Sequence, residues 1–384
     1  MKKSICIILG KYMNLLKYEW KKLFVRKIFI IVFIGFILLN IGLIAFQYKT
    51  DFLDKQLSTA EKYYALEFTG KITKEKVTKL STLIEQVSNE TNKDYKSGGK
   101  EGDIIVLQSI YDDMRSRYTY HQDMQTYLKV LTDNIDYFKN QNVEQQYNTF
   151  LYNEYKDRQI TTYDYIVGWN QLFHYDKTII LMSFVVIFGV VLMISNERDS
   201  HMDVLLKTSI KGRKYFQKIR FIHMISFVLI VVIAFSITEL LTFLILYGFH
   251  GLFEPLYALK DFYRSSISCN MLQCYFLIVL MRLIIMLFLV QIIQVISKYI
   301  PHYILAFFLS ALIILGLIVV ANDTQVFNPF ALLQESQLFI ERDCIQIGPL
   351  CMFTYQWLML IGVGYNLILA IMSLIGKEGV SYET

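Results

Sequence analysis

The chain has 384 residues, of which 54% are hydrophobic and only four are proline. A soluble protein of this length has a less apolar composition and shorter apolar runs. Here the apolar residues form continuous blocks of about 20 residues, the length of helix that crosses a bilayer. The composition therefore excludes an ordinary soluble domain and predicts an all-α, polytopic membrane protein. Strands of a membrane-spanning sheet would instead alternate in polarity.

Six apolar blocks predict six transmembrane helices, which we call spans one to six. In chain order the spans cover residues 28–46, 179–195, 221–247, 275–297, 303–321 and 355–375. A segment 1–27 precedes the first span, and a polar region 47–178 separates spans one and two. Residues 179–384 hold the other five spans, and their two long connections are an inner segment 196–220 and an outer loop 322–354.

The basic residues indicate how the spans are oriented. With the N-terminus inside, the cytoplasmic segments carry 17 basic and 6 acidic residues, whereas the outer segments carry 20 basic and 26 acidic. Short loops that are rich in Lys and Arg remain on the cytoplasmic side of the membrane. The strongest signal precedes span one and comprises Lys17, Lys21, Lys22, Arg26 and Lys27. We therefore expect a multi-pass protein of the bacterial cell (plasma) membrane with both termini in the cytoplasm.

The segments outside the spans show helical patterns of their own. Residues 11–27 are amphipathic, so the segment 1–27 is predicted to form an elbow helix on the cytoplasmic membrane surface; a cytoplasmic extension of span one is the alternative. Apolar residues at helical spacing in 47–178 predict an extracellular helical domain. In the outer loop 322–354, Asn328 and Pro329 form a cap followed by Pro in the first helical turn, which predicts a short re-entrant-type helix.

Motifs for catalysis or cofactor binding are missing from the sequence. No GxxxxGK[S/T] loop, HExxH, GxSxG or His/Cys ligand cluster occurs, so we expect no bound cofactor, no metal and no catalytic residue. Basic residues flank the membrane and do not form a nucleic-acid-binding module. Cys344 and Cys351 share the outer loop, and the sequence leaves open whether they form a disulfide or remain thiols.

The inner segment 196–220 contains a short apolar stretch, Leu205 and Leu206, between two clusters of charged residues. Its sequence from Asn196 to Lys214 is NERDSHMDVLLKTSIKGRK. It resembles the loop after span two of ABC-2-type transporter permeases, the membrane subunits of bacterial ABC exporters. The residues that match the family pattern are Glu197, Leu205, Leu206, Thr208, Ser209, Gly212 and Arg213. His201 and Met202 stand where the family usually has Gly, which puts the turn geometry in doubt.

The resemblance implies a permease subunit that is not itself an enzyme. A separate cytoplasmic ABC ATPase would bind and hydrolyse ATP and push the inner segment, whose matching residues would form a coupling helix. A second permease, identical or related, would complete a dimer. The family mostly exports drugs, antimicrobial peptides, lipids or polysaccharides. For this chain we expect a hydrophobic or amphipathic compound.

Three alternatives remain open from the sequence. A non-transporting sensor or immunity protein would use the outer region 47–178 to bind an extracellular peptide or antibiotic. A membrane-embedded enzyme would need convergent polar groups within the spans, where only Glu239 and Arg282 are available. The segment 196–220 is also interpretable as a simple positively charged inner loop.

Glu239 and Arg282 are predicted to form an intramembrane charge pair. Glu239 lies eight residues before the outer end of span three, and Arg282 seven residues after the outer start of span four. At about 1.5 Å per residue both lie about 10–12 Å deep. Consecutive spans usually neighbour each other, so we expect the two charges to meet, either as a structural salt bridge or as a gate on the transport path.

The orientation is tested by labelling single cysteines in a cysteine-free background. On intact cells, Ala60→Cys and Val130→Cys should react with a membrane-impermeant thiol reagent, because both positions lie outside. Lys211→Cys should react only after permeabilisation. Labelling of position 211 on intact cells would contradict the orientation and the cytoplasmic coupling role.

Overall fold

A computed structural model describes residues 17, 20–21, 27–51, 55–91, 100–139, 141–199, 210–248, 250–300, 302–321, 327–340, 344–347 and 350–375. The predicted elbow 1–27 lies almost entirely outside these residues, as does the stretch 200–209 of the inner segment. The described part of the chain is mostly helical.

Twelve α-helices are formed by the described residues. In chain order they are α1 (Lys27–Asp51), α2 (Lys55–Glu67), α3 (Lys74–Thr91), α4 (Lys100–Tyr137), α5 (Asn142–Tyr155), α6 (Val167–Phe173), α7 (Lys177–Asp199), α8 (Ile210–Tyr247), α9 (Met271–Tyr299), α10 (Tyr303–Ala321), α11 (Gln337–Ile340) and α12 (Thr354–Ile375). Two small antiparallel sheets, which were not predicted, pair β1 (Gly70–Lys71) with β2 (Thr162–Tyr163) and β3 (Cys344–Ile347) with β4 (Leu350–Phe353). Short 3₁₀ helices cover Leu256–Ala258, Lys260–Phe262 and Pro329–Gln334.

Five helices of the described chain, α1, α7, α8, α9 and α12, are long and apolar enough to cross a membrane. The chain therefore has the character of a multi-pass membrane protein. Helix α10 is equally apolar, but its fully described part, Tyr303–Gly316, is shorter than these five. Helix α9 is central, since α7, α8, α10 and α12 all pack against it.

The start of α9 is fixed by a capping box. The Asn270 side chain accepts a hydrogen bond from the backbone N–H of Gln273 at 2.8 Å, and the Gln273 side chain accepts one from the Asn270 N–H at 3.2 Å. This reciprocal arrangement satisfies two backbone donors that a helix end leaves unpaired. The helix thus starts at Met271, four residues before the predicted span, and Arg282 lies three turns into it.

A polar helical domain follows α1 and comprises α2 to α5 with the β1–β2 sheet. It has an apolar core of its own, which buries Phe68, Leu80, Leu107, Ile110 and Met114. The spacing of the last three along α4 places them on one helical face. These helices agree with the helical pattern of residues 47–178.

The polar domain is attached to the segment between α8 and α9 by a clamp around Arg158. The Arg158 guanidinium donates to the Ser265 carbonyl at 2.8 Å and to the Ser268 hydroxyl at 2.9 Å. It also lies over the rings of Tyr155 and Tyr257, 4.2 and 5.2 Å from their centroids. Because Arg158 is only 3% exposed, these contacts form in a desolvated setting, where hydrogen bonds from a charged donor are strong.

The segment before α12 packs into the helix bundle. Asn328 accepts a hydrogen bond from the Phe330 N–H at 3.0 Å, and Pro329 begins the 3₁₀ helix Pro329–Gln334. Phe330, Ala331 and Leu332 within this helix are buried. The β3–β4 hairpin then leads into α12, and no disulfide joins Cys344 and Cys351 on its two strands.

The clamp is tested by replacing its arginine. We predict that Arg158→Ala lowers the free energy of unfolding by about 3 kcal/mol, because two hydrogen bonds from a charged donor and two ring contacts are lost. Arg115→Ala, at an exposed position on α4, is the matched control and should have little effect. Thermal unfolding of the purified protein in detergent measures both. Equal midpoints for the two variants would contradict the clamp.

Candidate functional site

Arg282 lies between two carboxylates inside the helix bundle. Its Nε and Nη2 donate to Oε1 and Oε2 of Glu335 at 2.6 and 2.8 Å. Its Nη1 donates to Oε2 of Glu239 at 2.5 Å and its Nη2 to Oε1 at 3.2 Å. One guanidinium thus binds two carboxylates, each through two of its oxygens. We call Glu239, Arg282 and Glu335 the buried triad.

The three members come from three separate elements. Glu239 is on α8, Arg282 on α9, and Glu335 directly follows the 3₁₀ helix Pro329–Gln334. Their side chains are removed from solvent, with residue exposures of 0%, 1% and 7%. The triad therefore joins two spans to the segment that packs against them.

The triad's other hydrogen-bond partners lie on the same helix faces. Tyr275 is seven residues before Arg282, so both lie on one face of α9. Its hydroxyl lies 2.8 Å from Glu239 Oε2 and 2.7 Å from the Ser236 carbonyl, either of which can accept its proton. The Ser236 hydroxyl accepts a long hydrogen bond, 3.5 Å, from Arg282 Nη1. All three guanidinium nitrogens are thereby engaged.

Glu335 is held in an unusual backbone conformation. Its φ of 52° makes it the one non-glycine residue with positive φ among the described residues. Glycine adopts this region at little cost, whereas other residues occupy it only when their surroundings demand it. The next residue, Ser336, donates its hydroxyl to the Phe173 carbonyl, and Ser266 N–H donates to the Phe339 carbonyl at 2.8 Å. These neighbouring bonds and the two to Arg282 hold the turn.

Burial makes the triad energetically demanding. An unpaired Arg or Glu near a helix centre costs about 2.5–3.5 kcal/mol on insertion scales. Pairing offsets this cost only if the geometry is good and the remaining donors are satisfied. Both conditions hold here, so removal of Arg282 alone, which strands two carboxylates, should destabilise the protein more than neutralisation of the whole triad.

The structure places the predicted site residues in two groups. Glu239 and Arg282, expected to meet at matched depth, are in direct contact. Glu335, the third member, was missed because the sequence assigned it to the outer loop. A signal was present: it is the only charged residue in the stretch from Asn328 to Ile340, where an isolated charge needs a partner.

The residues of the predicted coupling helix are only partly described. Glu197 lies in the last turn of α7, and Gly212 and Arg213 lie in the first turn of α8. Leu205, Leu206, Thr208 and Ser209 lie outside the described residues. Their coupling role therefore remains a prediction.

No family model and no curated protein matches this chain. Within the described residues, no group of three or more His, Cys, Asp or Glu side chains is arranged to hold a metal ion. The triad has the chemistry of an ionic latch, since it holds three elements together through charge-assisted hydrogen bonds.

The latch is tested by comparing a broken triad with a neutral one. Arg282→Gln strands two carboxylates and should lower the free energy of unfolding by about 3–5 kcal/mol. The triple variant Glu239→Gln, Arg282→Gln, Glu335→Gln should recover most of this loss, because no buried charge remains. Unfolding curves in detergent measure both. If the triple variant loses as much free energy of unfolding as the three single variants lose together, the latch is contradicted.

Proposed function

We propose that the chain is the membrane-spanning permease subunit of a bacterial ABC exporter of the ABC-2 type. It crosses the membrane six times, with both termini in the cytoplasm and the polar domain outside. A separate cytoplasmic ATPase supplies the energy, and a second permease, identical or related, completes the transporter. The cargo is a hydrophobic or amphipathic compound such as an antimicrobial peptide, a drug or a lipid.

The observation that carries this proposal is the continuity of α7 and α8 with the inner segment. Helix α7 runs from its apolar part without a break through Glu197 to Asp199. Helix α8 begins at Ile210, about 14 Å by its rise before the buried Ile219, and continues to Tyr247. The matching residues 205–209 therefore lie between two continuous helices, which would transmit a displacement by a partner into the membrane.

Close packing of α7 on α8 supports joint movement of the two helices. A Cβ atom on Gly189 of α7 would lie 2.3 Å from the ring of Phe227 on α8. Only glycine accommodates that approach, and packed interiors have little free space to absorb a displacement. A push on the inner segment would then move α7 and α8 together. This movement would reach the triad through Glu239 on α8, which contacts Arg282 on α9.

A sensor or immunity protein is the second candidate, and the clamp favours it. The polar domain has its own core and is attached through Arg158 to the segment that joins α8 and α9. Binding of a peptide or antibiotic to this domain would bias the same helices from the outer side. The two candidates differ in whether a compound crosses the membrane.

Coupling to the ATPase is tested by placing a charge on the short apolar stretch, Leu205 and Leu206, of the inner segment. Leu206→Asp should abolish co-purification of the ATPase and transport-dependent resistance, because desolvating a carboxylate against a partner costs several kcal/mol. Membrane insertion should be unchanged. Leu206→Met, which keeps the apolar surface, is the matched control and should retain both activities. Wild-type ATPase binding by Leu206→Asp would place the coupling surface elsewhere.

A further inference from the structure

The buried triad has an unbalanced formal charge. Two carboxylates share one guanidinium, so the group carries a net charge of −1 when all three members are ionised. Among the described residues, Arg282 is the one cation whose charge acts on Glu335. The other charges acting on it, Glu239 and Asp176, are both acidic. Lys177, beside Asp176, is exposed and lies 5.6 Å from the centre of the Tyr175 ring.

The neighbouring groups from the other packed elements do not restore the balance. Tyr275 on α9 and Ser236 on α8 are neutral hydrogen-bond partners, and Tyr175 and Ser336 are neutral as well. A net charge inside a membrane-embedded, low-dielectric bundle is costly, and groups so placed usually neutralise by binding a proton. A proton on one carboxyl would make the triad neutral.

The two carboxyls differ in their surroundings. Glu239 is 0% exposed and has a third hydrogen-bond partner in the Tyr275 hydroxyl. Glu335 is 7% exposed, lies in a turn rather than on a span, and accepts its hydrogen bonds within the triad from Arg282. Burial raises the pKa of Glu335, against the lowering effect of Arg282.

We propose that Glu335 is a proton-binding site, which takes up a proton from the aqueous side of its turn and thereby neutralises the triad. With the proton bound, Glu335 remains hydrogen-bonded to Arg282 in a group without net charge. Loss of the proton leaves a net negative charge in the bundle, which lowers the stability of the folded protein. This proposal goes beyond the proposed function and does not depend on an ATPase partner.

The sign of the pH dependence follows from a raised pKa. A group of this kind contributes stability below its unfolded-state pKa and loses that contribution as the pH rises through its folded-state pKa. For a glutamate the unfolded value is about 4.3. The contribution of Glu335 is therefore fully present only at acidic pH and declines above it.

Glu335→Gln provides the first test because glutamine is a neutral isostere of the protonated side chain. At about pH 4 its unfolding midpoint should equal that of the wild type, and at about pH 8 it should be higher by about 2 °C or more, the shift that a tenfold change in the unfolding equilibrium produces in a chain of 384 residues. Asp133→Asn, at an exposed position on α4, is the matched control and should keep the wild-type pH dependence. The same pH dependence of the unfolding midpoint in Glu335→Gln and in the wild type would overturn the proposal. A wild-type unfolding midpoint at pH 8 that rises when sodium is added, but not when choline is added, would also overturn it.

Infrared spectroscopy of the wild-type protein tests the proposal even if variants fold poorly. A carbonyl-stretch band of a buried protonated carboxyl should be present at neutral pH and shift in heavy water. Glu335→Asp should move this band, whereas Glu239→Asp should leave it in place. Absence of the band from the wild type, or its movement in Glu239→Asp alone, would overturn the assignment to Glu335.

Discussion

The contact of one arginine with two carboxylates constrains how the membrane helices are arranged. Arg282 needs partners because an unpaired guanidinium in a helix bundle is costly, and its planar donors suit carboxylates that bind through both oxygens. Glu239 on α8 accepts hydrogen bonds from one side of the guanidinium, and Glu335 in the segment before α12 accepts hydrogen bonds from the other side. A bundle in which α8 moved away from α9, or in which that segment left the core, would strand at least one buried charge.

The same helices receive the attachment of the polar domain. The clamp around Arg158 holds the segment between α8 and α9, while the triad joins these two helices a few turns further along. Close packing at Gly189 adds α7 to the group. Binding of a ligand to the polar domain and a displacement of the inner segment would therefore act on the same packed helices, α7, α8 and α9. Either a transporter or a sensor would require such an arrangement, in which two sites bias the same packed elements.

Much of this organisation followed from local sequence patterns. Apolar blocks located the five helices that are long and apolar enough to cross a membrane, and matched depth predicted that Glu239 and Arg282 would meet, because helix rise converts residue number into distance. Glu335 was missed because its partner is 53 residues away along the chain and its turn has no regular period that places it in the bundle. The clamp was missed for a similar reason, since Arg158 contacts residues more than 100 positions away. Periodicity predicts elements, whereas such contacts depend on how the elements pack.

Hydrogen–deuterium exchange provides the most direct test of the triad as the constraint on the bundle. In the wild-type protein we predict that amides of residues 329–340 exchange as slowly as those of the outer half of α9, because the segment is held by two carboxylate contacts to Arg282. In Arg282→Gln they should exchange much faster, while amides in α4 of the polar domain keep their wild-type rates. Unchanged protection of 329–340 in that variant would contradict the triad as the attachment of this segment.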